Sequence, residues 1–342
     1  VQLPTAVGTR HLPVAMSPLK GLFPPSRPLA LLPAVLVATV ALPRSALSLV
    51  LRSGANSSGG GGGGGRSSCP LPPGSKWCSV HTIAGLPAFD IAVYAANDIV
   101  SNNICQQGGW EITNMADFGK PGHALDIGGN IGMYTLALAA AGWKVTTFEP
   151  LPKNVALMQA SLCANPALAA RIKLYSEGLG PSDSQCTIIS DINNEGDGHT
   201  KCGANASHVP PGYAVRGSFH IRRLDDVMAQ DGIGNFDFVK LDVEGYECQV
   251  FAGATKLLSG QKPRLVQSEV WPQMVGCKPS DYLQMFKNSG YKVSRDIHCN
   301  VPNAIPLTTG IADFFMCDLG PGAPASFVQR QRERRILRFS PA

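Results

Sequence analysis

The sequence predicts an α/β fold, an open and mostly parallel sheet with helices on both faces, and three observations carry that prediction. Residues 123–150 read as an apolar strand ending at Asp126, a glycine-rich turn, an alanine-rich helix over about 131–141 closed by Gly142, and a second strand over 144–148 that delivers Glu149. Further short apolar runs at 171–175, 236–242 and 264–270 alternate with helix-length stretches, the pattern of strands joined by crossover helices. Acids and glycines gather just past the ends of these strands, where an open parallel sheet holds its ligand.

The turn in the first unit carries Gly128, Gly129 and Gly132. Such a turn lets backbone approach a ligand closely, because no Cβ intervenes and positive φ angles are open. Glu149 lies at the mouth of the neighbouring strand, where a carboxylate can accept both hydroxyls of a ribose. Dinucleotide sites of the nicotinamide kind read Gly-x-Gly-x-x-Gly and seat a pyrophosphate on the first glycines. Here the order is Asp-x-Gly-x-x-x-Gly, and a carboxylate at Asp126 repels a pyrophosphate. A cationic nucleoside suits it better. S-adenosylmethionine, with its sulfonium and ammonium, fits that description, and its carboxylate is expected to take the amides of the glycine loop.

The helix over 152–165 begins at Pro152, and the strand at 171–175 leads to Glu177, which has two readings: a partner for the adenine amine, or a solvated loop acid. Residues 192–213, rich in Asn, Gly and Pro, read as a surface insertion near the site. The stretch from Phe236 runs into Asp242, Val243, Glu244 and Gly245 and then into a helix expected to reach about Leu258. Two carboxylates two residues apart at a strand end can share a face. Asp242 is therefore the candidate to take a proton from an acceptor or to hold the cofactor ammonium, with Glu244 assisting. His220, Glu269 and His298 are less favoured bases. Capping of the following helix by Glu244 or Glu247 is the alternative. A helix over 278–289 and strands over 291–296 and 312–319 close the pattern.

The blocks Leu-Asp-Ile-Gly-Gly-Asn-Ile-Gly-Met-Tyr-Thr, Thr-Phe-Glu-Pro-Leu-Pro-Lys-Asn, Arg-Leu-Asp-Asp and Lys-Leu-Asp-Val-Glu-Gly-Tyr-Glu, with Phe-Ala-Gly-Ala after the last, occur in this order. Together they resemble the FkbM family of S-adenosylmethionine-dependent methyltransferases across roughly residues 95–318. The resemblance implies a Rossmann-like class I methyltransferase, with a seven-stranded sheet that has one antiparallel strand at its end. It also implies O-methylation of a sugar or natural-product hydroxyl. On the matching positions it makes Asp126, Gly128, Asn130, Gly132 and Glu149 cofactor-binding, and Asp242 and Glu244 the acidic signature. The cysteine-bearing lead-in and the insertion at 192–213 depart from compact bacterial members, and these segments would shape the acceptor pocket. The rivals are a nicotinamide oxidoreductase and an inactive lumenal glycan-binding protein.

The remaining organisation follows from composition. Six basic residues and no acid fall in 1–68, and five Arg with one Glu in 327–342, so the stretch between holds 18 basic and 23 acidic residues. The overall +5 belongs to the ends, which argues against nucleic acid as a partner. The expected domains are a basic segment over 1–52, a Gly/Ser linker over 53–68, a cysteine-containing lead-in over 69–120, the methyltransferase domain over 121–320 and a basic tail over 321–342. The chain opens on Val1 rather than Met, as a fragment or an imperfectly assigned start would. Residues 29–51 are the candidate membrane segment, and Arg10, Lys20 and Arg27 form a cytoplasmic-type flank. A signal anchor with the domain facing the Golgi or secretory lumen is expected; a cleaved signal or an organellar transit peptide is the alternative. Asn56 and Asn205 begin glycosylation triplets for a lumenal chain.

Ten cysteines, an even count, suit an oxidising compartment. Cys186 with Cys202 and Cys277 with Cys299 are the suggested pairs, with Cys248 and Cys163 read as buried thiols. The cysteine spacing offers no zinc site, and no metal is expected. Trp110 is read as packing against the sheet rather than covering the cofactor.

Overall fold

The computed structural model describes residue 66 and residues 68–203, 208–300 and 310–318. The candidate membrane segment, the linker up to residue 65, both glycosylation triplets and the basic tail lie outside these residues. Among the described residues no helix is long and apolar enough to cross a membrane.

In chain order the folded part opens with strands β1 (Ser75–Val80) and β2 (Phe89–Tyr94) and helix α1 (Ile99–Gln107). Then come β3 (His123–Ile127), α2 (Met133–Ala140), β4 (Lys144–Phe148), α3 (Pro152–Ala164), the single turn α4 (Pro166–Ala169) and β5 (Ile172–Tyr175). A second group follows: β6 (Gly178–Leu179), β7 (Ser184–Asp191), β8 (His199–Cys202) and β9 (Tyr213–Arg222). The chain then completes the first sheet with α5 (Leu224–Asp231), β10 (Phe238–Leu241), α6 (Glu247–Ala252), β11 (Leu265–Val270), α7 (Pro279–Asn288), β12 (Tyr291–Ser294) and β13 (Ala312–Asp318).

The main sheet has seven strands in the order β12-β13-β11-β10-β3-β4-β5. β13 runs antiparallel to both neighbours and every other pairing is parallel. This is the Rossmann-like architecture that the sequence predicts, except that the antiparallel strand β13 lies between β11 and the edge strand β12 rather than at the end of the sheet. Parallel strands covered by helices on both faces must be apolar throughout, and β3, β4 and β10 are buried over nearly their whole length. Two cores result. One lies under α2 and α3 and includes Trp143, Leu136 and Leu157; the other lies under α5, α6 and α7 and includes Phe251, Tyr282 and Phe286. Each large apolar side chain so buried contributes about 1.5–3 kcal/mol before the entropy of ordering is subtracted.

The lead-in is folded and shares the first of those cores. β1 and β2 form an antiparallel hairpin whose Ile91, Ala92, Val93 and Tyr94 are sealed from water. Polar contacts tie it to α3: Ala92 N donates to Ser161 Oγ at 2.8 Å, and Tyr94 Oη donates to Asn154 Oδ1 at 2.8 Å. Trp110 packs against this core, as expected.

Several expectations are corrected. The stretch at 192–213 lies beside the cleft as expected, and it carries regular structure that was not expected: its β8 pairs with β7 in a separate four-stranded sheet of β6, β9, β7 and β8. The helix after Asp242 stops at Ala252 rather than near Leu258. A Cβ on Gly253 would fall 1.9 Å from Gly180 O, so the chain crosses the second sheet there and leaves the helical path. A π-helical turn over Leu257–Gln261 follows. Helix α2 begins two residues later than the pattern suggests, because Gly132 sits left-handed at its N-cap.

All ten cysteines are paired. Cys186–Cys202 forms as expected between facing residues of β7 and β8. Cys277 pairs with Cys248 rather than Cys299, since the first turn of α6 and the loop before α7 lie side by side with Cα atoms 6.1 Å apart. Cys299 pairs with Cys317 on β13. Cys163 is bonded to Cys69 and Cys78 to Cys105, so neither Cys248 nor Cys163 is a free thiol.

Candidate functional site

The site is built at the carboxyl ends of β3, β4 and β10, which parallel register holds level: Ile127 faces Leu241 on one side and Phe148 on the other. After Ile127 the chain turns sharply, with φ of +83° at Gly128, +50° at Asn130 and +93° at Gly132. Gly128 cannot be replaced cheaply, since a Cβ there would stand 1.7 Å from Asp242 O. The turn is thus pressed against the end of β10. Its amides are not free for a ligand carboxylate as expected: Gly128 N and Gly129 N both donate to Phe148 O, at 2.9 and 3.1 Å. The tightness that brings the loop close to β4 consumes those donors.

Glu149 is buried with both oxygens engaged, Oε2 accepting from Asn130 N and Oε1 from Leu151 N at 2.7 Å each. Each oxygen keeps a further lone pair. Burial outweighs these bonds and pushes the carboxyl up to about 8. Asp126 behaves differently. Its side chain is sealed behind the glycine turn, Oδ2 accepts from Thr135 Oγ1 at 2.6 Å, and Oδ1 has no hydrogen-bond partner. Burial raises its pKa against the opposing pull of Lys240, which faces it across the β3–β10 register.

Lys240 is the buried cation of the site. Its ammonium donates to Asp242 Oδ2 at 2.8 Å and lies 4.7 Å from the Tyr134 ring centroid. Burial works against its charge, yet Asp242, Asp126 and Glu111 hold it well above the ordinary lysine range. Beyond Asp242 the chain takes positive φ at Glu244 and Gly245, and Glu247 Oε1 turns back to accept from Val243 N and Gly245 N. Glu247 thus braces the turn ahead of α6, and neither it nor Glu244 caps that helix through a side-chain hydrogen bond. Glu244 faces the cleft, and burial among Asp242, Asp197 and Glu269 pushes its carboxyl up to about 11.

These groups border a cleft enclosing about 610 Å³ of empty space that opens to solvent. Ile127, Phe148, Leu179 and Val243 supply apolar walls, while Glu149, Glu177, Asp242 and Glu244 supply four carboxyls. Among the described residues no Lys, Arg or His lines it. Of the sequence-predicted residues, Gly128, Asn130, Glu149, Glu177, Asp242 and Glu244 meet at this cleft, and Asp126 and Gly132 lie beneath it. Glu177 reaches the cleft while also accepting from Arg222 at 3.3 Å. Among the less favoured bases, Glu269 stands beside Glu244, whereas His220 pairs with Asp183 and His298 with Asp117, both away from the cleft lining.

The second sheet forms the opposite wall through Ile188, Gly198, Thr200, Phe219 and Ile221. It also brings Asp197 and His199 against Glu244. Sequence reasoning missed these two because they are far from Glu244 in sequence. The acid-Gly-His spacing is a faint signal alone and acquires meaning only from the sheet pairing.

Residues 126–293 match the family described as the methyltransferase FkbM domain. The chain is 25% identical over 196 residues to methyltransferase sdnD of Sordaria araneosa, across 50% of this chain and 74% of that protein. Among solved structures, methyltransferase FkbM from Methylobacillus flagellatus KT aligns with 18% identity and a TM-score of 0.37. That alignment covers 58% of this chain and 44% of the other, so the chain spans less than half of that structure's length. Magnesium protoporphyrin IX methyltransferase from Synechocystis PCC 6803, solved with bound SAM, aligns with 16% identity and a TM-score of 0.34 over 59% of this chain and 73% of that one.

Proposed function

Residues 126–293 are a methyltransferase domain of the FkbM family, and from that premise we propose that the chain moves a methyl group from S-adenosylmethionine to a hydroxyl of a sugar or glycan. The observation that carries the cofactor reading is the charge of the cleft: four carboxyls line it and no basic side chain does. Among the described residues a dinucleotide pyrophosphate would find no cationic side chain lining the cleft, whereas a sulfonium and an ammonium suit its acidic wall. The residues fit the group. Glu149 keeps lone pairs for ribose hydroxyls, Phe148 and Leu179 offer apolar surface for adenine, Glu177 stands at the same wall, and Asp242 is left for the ammonium or the acceptor. Asp126 acts from below, by holding α2 through Thr135.

S-adenosylmethionine, held by Glu149, Phe148 and Leu179, would supply an electrophilic methyl group on its sulfonium, with the neutral thioether as the leaving group. The protein's part is mainly alignment, worth several orders of magnitude when the reactants are held in near-attack geometry. Asp242, fixed by Lys240, takes the acceptor's proton or holds the cofactor ammonium. Glu244, with its carboxyl raised to about 11, is a hydrogen-bond donor at neutral pH rather than a base. Beyond Glu244 lie half-buried Trp271 and Tyr213 around His199, and aromatic faces beside carboxyls are the surfaces that polyhydroxylated rings favour. Five disulfides suit an oxidising compartment, which supports a secretory or Golgi lumen setting with attachment through residues 29–51.

Incubation of the purified chain with methyl-labelled cofactor and a panel of sugars and glycans tests the reading, and label in an alkali-stable ether is the expected result. Cofactor binding without label in any acceptor would instead indicate an inactive binding protein. Asp242→Asn is expected to lower turnover at saturating cofactor by about two to four orders of magnitude if Asp242 is the base. A weakened cofactor affinity with unchanged turnover assigns it to the ammonium.

A further inference from the structure

Glu244 lines the cleft, and a second set of donors gathers around that carboxyl. Asp197 comes from the turn before β8, His199 opens β8, and Glu244 follows β10; one ligand atom from each lies within 4.8 Å of the other two. Glu244 belongs to another such triad with Asp242 and Glu269. The set is not merely acidic, since it includes an imidazole. His199 is walled by Tyr213 and Trp271, whose ring centroids lie 5.5 and 5.7 Å away.

Two further observations point to a missing cationic partner. Asp197 Oδ1 is sealed from solvent and makes no hydrogen bond, its nearest basic atom being His199 Nε2 at 3.6 Å. The buried ammonium closest to the cluster, Lys240, is already committed to Asp242 at 2.8 Å. Four carboxyls and one imidazole therefore share a half-buried space in which their mutual repulsion must be relieved by a proton or a metal ion.

We propose that Asp197, His199 and Glu244 bind a divalent metal ion at the boundary between the cofactor cleft and the acceptor space, with Glu269 beside them. The donor set, carboxylate oxygens with one imidazole, suits Mn2+ and its neighbours, with carboxylates drawing harder ions and the imidazole excluding a purely alkaline-earth preference. Bonds of about 2.1 Å put adjacent ligand atoms about 3 Å apart, so small rotamer changes close the set. Three protein ligands leave positions open for water or for two neighbouring hydroxyls of an acceptor. That last role rests on the methyltransferase reading; the ion site does not.

The test uses the full chain, stripped of metal and without cofactor, titrated with Mn2+ and followed by electron paramagnetic resonance and calorimetry. One ion per chain is expected, together with a rise in Tm as Mn2+ is added. Glu244→Gln and His199→Asn are each expected to weaken binding tenfold or more and to abolish the Tm rise, with circular dichroism establishing that both variants fold. Asp281→Asn, on the exposed first turn of α7, is expected to bind as the parent does. Absence of Mn2+ binding, or equal affinity in both variants and the parent, overturns the site. Because no cofactor is present, either result leaves the reading of the cofactor cleft untouched.

Discussion

The seven-stranded sheet and the four-stranded sheet meet at one cleft but are held in place by different physics. The first is buried on both faces, and Ala124, Leu125, Phe238 and Val239 are wholly shielded from water. It positions Gly128, Glu149 and Asp242 by parallel register alone. The second has a smaller core, in which Leu151 of the main domain joins Cys186, Ile188, Phe219 and Ile221, and a disulfide ties β7 to the edge strand β8. On the proposed reading, cofactor contacts fall on the seven-stranded sheet and the wall facing the acceptor on the smaller, cross-linked sheet. Recognition of an acceptor can then change without disturbing the cofactor seat.

The strongest test of that division is Gly128→Ala, which forces a Cβ into Asp242 O at a residue with φ +83°. Stability is expected to fall by about 4 kcal/mol or more, and cofactor binding with it, as read by thermal melting and calorimetry. Replacing Cys186 and Cys202 together with Ser should cost about 2–4 kcal/mol of resistance to unfolding, felt in the second sheet. The sharper outcome is a split: turnover falls while the heat of cofactor binding persists. If cofactor binding falls equally, the two halves are not separable.

Glu149→Gln is expected to weaken cofactor binding by about 1.5–3 kcal/mol, the range for a hydrogen bond to a charged group. Its pH dependence has a fixed sign. The folded chain keeps a proton on Glu149 up to about 8, whereas the unfolded chain releases it near the ordinary value of 4.5. Through Glu149, stability therefore falls as pH rises between those values and levels off above about 8. Cofactor affinity should rise across pH 8 as the carboxylate forms, and the Gln variant should lose both trends. The smallest effect belongs to the lead-in. Ser161→Ala leaves the buried Ala92 N without its acceptor, which should cost about 1–3 kcal/mol and leave cofactor affinity unaltered.

The difference between the halves also explains what was legible in the sequence. Strands such as β3 and β10 are short apolar runs ending in Asp and Gly, so their existence, order and ligand-facing ends can be read directly. β7 and β9 carry Ser, Thr, Gln, Arg and His on half-exposed faces, and a register shift between Ile188 and Ile189 breaks the alternation that would reveal them. The burial of Asp126 was illegible for another reason: it depends on Lys240 being set opposite by register, which no local pattern encodes. Glu149 could be placed from spacing alone, whereas Asp197 and His199 required the β7–β8 hairpin to fold across the cleft. The pairing of Cys277 was misread because chain separation says little about which loops share an end of the sheet.

Cys69 follows the glycine-rich stretch in the sequence, and it is bonded to Cys163 on α3. A tug arriving along that stretch therefore travels through a covalent link into a helix of the main core, and bypasses the hydrogen bonds of the β1–β2 hairpin. Whatever the upstream chain is fastened to, mechanical load would be borne by the scaffold rather than peeling away its first two strands.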